Sequence, residues 1–145
     1  TYKSIRFKVG LPPSINALNP TTPSDSAMLN QPSMWWGNAA QPGGYVFLNV
    51  QGKIDTSASM NKAPVPFVYK IGTNANYVQV QLGEKEFAIE EDAYVYGHII
   101  VDYSKLFTGI TLNQAASLSV KTAAENNAAL GQKIAKNIPA MFTYE

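Results

Sequence analysis

Few side chains in this chain can do metal, redox or acid–base chemistry: one histidine, His98, four methionines, the adjacent Trp35 and Trp36, and the acidic run Glu90, Glu91, Asp92. A copper site of the histidine type takes at least two imidazoles, or an imidazole with soft sulfur donors. His98 is the single imidazole on offer. Its ordinary role, inside an apolar strand-like run, is a partly buried ring bonded to backbone or a tyrosine; its functional role would be a metal ligand. Met28, Met34, Met60 and Met141 carry thioethers suited to Cu(I), but core filling is the commoner use of methionine. Successive side chains of an extended backbone point to opposite faces. One tryptophan is therefore expected in the core and the other under a loop or beside a surface pocket, with an oxidised or ligand-stacking ring as the functional alternative. The acidic run has oxygens for Ca²⁺ but no calcium-loop spacing, and is expected to be a solvated turn.

Nothing in the sequence assembles an active site. There is no Ser-His-Asp order and no phosphate loop, and no cysteine to serve as a nucleophile or a thiolate ligand. Asp102 shares a strand face with His98, but strand rise separates the two by about 13 Å. The sequence thus predicts a protein that is not an enzyme. Its eight tyrosines suit a sugar-binding or protein-binding platform, or simple cross-strand packing.

The elements that must position these groups follow from composition and periodicity. The 145 residues are 46% hydrophobic with a net charge of +1, which fits one globular domain over residues 1–145 and argues against nucleic acid as a partner. Charged residues make up only 14%, so the surface must be largely neutral and polar, as in secreted and cell-envelope domains. No apolar run approaches the roughly 20 residues of a membrane-spanning helix. The chain opens on Thr1, and a start after a processing point, or a fragment, is expected.

Alternation from Tyr2 to Val9 predicts a half-buried first strand. Five prolines between Gly10 and Pro32 make that segment a long loop, with Ile15, Leu18, Met28 and Leu29 as its pins. Gly43-Gly44 should turn the chain into a strand at Tyr45–Val50, with a polar loop at 51–63. Further strands are expected at Pro64–Ile71, Tyr77–Leu82 and Glu86–Ile89. Ala93–Tyr103, apolar on both faces, should be a long central strand. Ser104–Phe107 reads as a single turn. Thr122 and Glu125 have capping-box spacing before a helix of about four turns that Pro139 weakens. The fold class is mainly β, an antiparallel β-sandwich with one C-terminal helix.

Ile5-Arg-Phe-Lys-Val-Gly-Leu-Pro12, Asn16, Met34-Trp-Trp36 and Gly44-Tyr-Val-Phe47 resemble, in type and order, the MbnP-like family of copper-associated cell-envelope proteins. Phe67-Val-Tyr-Lys-Ile-Gly72, the stretch from His98 to Phe107 and Lys133 to Phe142 extend the resemblance over most of the chain. It implies an exported β-sandwich, periplasmic or at the cell surface, in a version common among lipoproteins, whose lipid anchor would lie outside this chain. It also implies copper as a cofactor in some relatives, held by histidines near a tryptophan oxidised to kynurenine. This chain departs from the pattern: Lys70 stands where relatives commonly carry His, Asn38 where they carry a second Trp, and Glu145 ends the chain where they continue into a histidine-containing tail. Relatives also have strands ahead of the first matched block. A non-catalytic binding or structural module is therefore expected, with no cofactor of its own. Its partner would be another envelope protein, or a missing segment, pairing with the first strand. The alternative is a copper protein using His98 with Trp35 or Trp36 near the metal.

Overall fold

A computed structural model describes residues 3–21, 27–38, 41–59, 61–86 and 88–145. Strands dominate, mostly antiparallel, in a β-sandwich-like arrangement closed by one C-terminal helix. Strand β1 (Arg6–Val9) pairs antiparallel with β5 (Val78–Gln81). The main sheet has four strands in the order β2 (Trp35–Asn38), β3 (Gln41–Ile54), β4 (Val65–Gly72), β7 (Ser119–Val120), the last joining in parallel. A third, two-stranded ribbon joins β6 (Ile99–Val101) to β8 (Phe142–Tyr144). Helices α1 (Pro13–Asn16), α2 (Ala123–Asn126) and α3 (Ala129–Asn137) complete the described elements with several 3₁₀ turns.

The alternating patterns translate directly into burial. Val80 and Leu82 are buried while Gln79 and Gln81 between them are exposed, and Phe7 is shielded between exposed Arg6 and Lys8. The core forms where α3 lays Ile134, Ala135 and Ile138 against Tyr69 and Ile71 of β4, with Leu106, Val120 and Met141 filling the space between. Phe67, Tyr69 and Phe107 stack around this centre with ring centroids 5.6–5.9 Å apart. The Tyr69 hydroxyl donates to the Ser117 carbonyl at 2.5 Å, so the buried ring satisfies its polar tip.

Several expectations are corrected. Of the apolar pins expected in the proline-rich loop, Ile15 and Leu29 are half-buried but Leu18 and Met28 are exposed, and the loop is held in addition by Pro20 and Asn16, both buried. The Asn16 side chain accepts from the Tyr45 amide at 2.6 Å and donates to Asn74 at 2.8 Å. Pro13 does not forbid α1, because at the first helical position its missing N–H costs nothing. Gly43-Gly44 lies inside β3, and Gly44 (φ +86°) lets the Asn16 amide come close to the backbone. The strand runs on to Ile54, well into the expected loop. Glu86 and Ala88–Ile89 are not in a strand, and Phe87 lies outside the described residues, as do Tyr2, Pro23 and Met60. The expected four-turn helix is broken at Asn127–Ala128, and α3 tightens into a 3₁₀ turn at Ile138–Met141, where Pro139 cannot continue it.

The capping box at Thr122 forms in both directions: its hydroxyl accepts from the Glu125 amide at 3.2 Å, and the Glu125 carboxylate accepts from the Thr122 amide at 2.9 Å and the Lys121 amide at 2.6 Å. Those backbone donors hold the Glu125 carboxyl below its ordinary value of 4.5. Thr122→Ala is expected to cost about 1 kcal/mol in urea unfolding at neutral pH. Because the folded-state value is the depressed one, the contribution of Glu125 is present above pH 4.5 and lost as pH falls through its folded value. The stability gap between wild type and Glu125→Gln should therefore be widest near neutrality and close in acid. A gap independent of pH would show that the carboxylate charge plays no part.

Candidate functional site

The feature that most needs a functional account is a bare arm. Every described residue from Gly83 to Val101 is exposed, although the stretch is rich in the aromatic and β-branched residues that elsewhere form the core. Tyr94 and Tyr96 are 87% and 81% exposed, and Tyr103 is 56% exposed. Ile99, Ile100 and Val101 are exposed on both faces of β6. The expected long central strand is thus a three-residue ribbon strand preceded by chain outside any strand. The acidic run forms the exposed turn that begins the arm, with Asp92 in the left-handed region (φ +62°).

Behind the arm lies a cleft of about 510 Å³, lined among others by Ile5, Lys85, Tyr96, His98, Tyr144 and Glu145. His98 lies just before β6 and is not the partly buried ring expected of a strand interior. Its side chain is 69% exposed, and its Nδ1 meets a Glu145 carboxylate oxygen at 2.5 Å. Lys85 donates to the Glu145 carbonyl at 2.9 Å. Glu145 thereby ties the arm to β8, and the Tyr144 hydroxyl accepts from the Ile5 amide at 2.8 Å to tie β8 to the first strand.

One imidazole and one carboxylate are what the described residues bring together at His98, and they contain no cluster of three or more His, Cys, Asp or Glu side chains able to hold a metal. The described methionines do not complete a copper set: Met141 is buried in the core, Met28 is 73% exposed on the proline-rich segment, and neither Met28 nor Met34 lines the His98 cleft. This donor set does not fit a histidine-type copper centre.

Trp35 and Trp36 stand apart from the cleft, in β2 of the main sheet. Neither is fully buried. Trp36 packs over Gly72 of β4 and donates from Nε1 to the Lys121 carbonyl at 3.0 Å. The Trp35 Nε1 is buried without a hydrogen-bond partner among the described residues. Sequence reasoning named these rings and His98 but missed Asn126, a fully buried amide that organises the sheet edge. Its signal was an asparagine, a poor helix former, in the middle of a predicted helix.

β-Sandwich-like strands, one C-terminal helix and an exposed apolar arm on a two-stranded ribbon define a strand-built domain. The chain belongs to the MbnP family, whose model matches residues 1–124. No curated protein and no solved structure matches it. Among the described residues no helix is long and apolar enough to cross a membrane.

Proposed function

We propose that this chain is a non-catalytic interaction module of the MbnP family, exported to the periplasm or cell surface, that docks a protein partner along the arm and β6. The single observation that carries this reading is the continuous exposure of Tyr94 to Val101 on both faces. Export is supported by the low charged fraction of 14% and by membership of the family. The partner strand seat expected at the first strand shifts to β6: each of the two strands has one edge paired, β1 with β5 and β6 with β8, but the exposed aromatic and β-branched side chains lie at β6.

Hydrogen exchange on the protein in its native assembly tests this. Amides 94–101 should be protected there by at least tenfold relative to the dispersed chain; equal, fast exchange in both would sink the reading.

The copper alternative keeps one point of support, the exposed imidazole face of His98 beside Glu145 in a cleft. Stoichiometric copper in native material, lost on His98→Ala, would favour it over the interaction module. Unmodified Trp35 and Trp36 in a copper-free protein would count against it.

A further inference from the structure

The arm's covering is best identified from its backbone. The Glu145 amide donates to the His98 carbonyl, and the Asp102 amide donates to the Met141 carbonyl, so residues 98, 100 and 102 turn their peptide groups toward β8. By strand alternation, Ile99 and Val101 turn their N–H and C=O groups to the opposite edge. No described strand pairs with that edge. It is an open template for one more antiparallel strand.

The side chains along this edge are self-complementary. An antiparallel pair related by a two-fold axis at Ile100 places Ile99 opposite Val101 of a second copy, in a hydrogen-bonded pair, and His98 opposite Asp102 on one face. The groups that face His98 in the single chain are Glu145 on Nδ1, with Lys85 on the carbonyl of that residue; its Nε2 is left for the second copy. Around Asp102, one carboxylate oxygen accepts from the Ser104 amide at 2.9 Å and the other lies 3.8 Å from Lys105. At the axis, Ile100 meets Ile100. Each end therefore offers an imidazole to a carboxylate, and the centre offers apolar contact to apolar contact.

Size agrees with this. The large apolar side chains exposed from Ile89 to Tyr103 present roughly 800 Å² per copy, the surface from which the pairing and its flanking aromatic contacts would draw. We infer that the occupant of the open β6 edge is a second copy of this chain, the two ribbons joining into one four-stranded sheet β8-β6-β6-β8. This rests on the interaction reading above and names its partner.

Sedimentation equilibrium of the purified full chain, loaded at about 100 µM so that a micromolar Kd is saturated, should give twice the chain mass of 15.8 kDa. Ile100→Lys, exposed in the single chain and self-facing at the axis, should weaken association by at least 100-fold with the monomer's melting temperature unchanged. Ile99→Pro removes an N–H from the open edge without touching the bonds to β8, and should do the same. A wild-type chain that stays at 15.8 kDa overturns the second copy. So does a dimer that both variants leave intact. If the chain alone is monomeric while amides 94–101 are protected in the native assembly, the interaction reading stands with a different protein on the edge; if they exchange fast in both, both readings fall.

Discussion

Asn126→Leu is expected to destabilise the protein by about 4 kcal/mol, with a fall in melting temperature of about 10 °C. The Asn126 side chain donates to the carbonyls of Lys70 and Thr122, both at 2.9 Å, and accepts from the Gly72 amide at 2.9 Å and the Asn76 amide nitrogen at 3.0 Å. The Lys70 carbonyl and Gly72 amide are on one edge of β4, the edge along which β7 runs parallel up to the Tyr69–Val120 pair. A residue of a parallel neighbour spans one such carbonyl and one such amide. Beyond Val120 the chain leaves the sheet for α2, and the Asn126 amide takes the place of the missing strand. Leucine fills similar volume but leaves several buried polar groups without partners, each costing about 1–3 kcal/mol. Asn126→Asp separates this from a packing effect. The carboxylate keeps both acceptor contacts, loses both donor contacts and brings a charge into a fully buried site. Its folded-state pKa should rise, so the penalty is largest near neutral pH and shrinks as pH falls through that raised value. A leucine variant within 1 kcal/mol of wild type in urea unfolding would show that the amide is not holding the edge.

The contrast between β5 and the arm shows what the sequence could and could not convey. In β5 the alternation of Val78, Val80 and Leu82 with Gln79 and Gln81 states both the strand and its buried face, since one side meets the core and the other water. The Thr122–Glu125 spacing likewise encodes a local structure, because a capping box needs only its own turn. Ala93–Tyr103 has the composition of a central strand and little of the structure. Composition alone does not distinguish a segment apolar on both faces that lies inside a sheet from one that lies at its surface. The same limit applies to Asn16 and Asn126. Apart from the Thr122 carbonyl, their partners named here lie 29 to 58 positions away in the sequence, and a buried asparagine looks like a surface one until those partners are in place. His98 was read as a strand-interior ring for the reason that misplaced the arm: its neighbours are apolar, but they face outward.

Gly72→Ala is expected to cost about 3 kcal/mol, at the upper end for overpacking, because the site is closed on two sides. A methyl group there would sit 2.5 Å from Cη2 and 2.6 Å from Cζ3 of Trp36, and closer still to the backbone carbonyl of Tyr45 across the β3–β4 pair. The carbonyl lies just before the register shift between Val46 and Leu48, and Tyr45 itself is buried, so the backbone has little room to give. The indole is held in turn by its hydrogen bond to the Lys121 carbonyl, on the chain leaving β7. Trp36 thus lies across β4 from β2 to β7, and Gly72 is the flat place that lets it do so. Moving the ring should break the Nε1 bond and change the near-ultraviolet circular dichroism of the folded protein along with its stability. A double-mutant cycle with Trp36→Leu tests the assignment. If the ring is the obstacle, Gly72→Ala should cost at least 1 kcal/mol less in the Trp36→Leu background. Additive costs would place the whole clash on the Tyr45 carbonyl, leaving Trp36 as a cover that the sheet does not depend on.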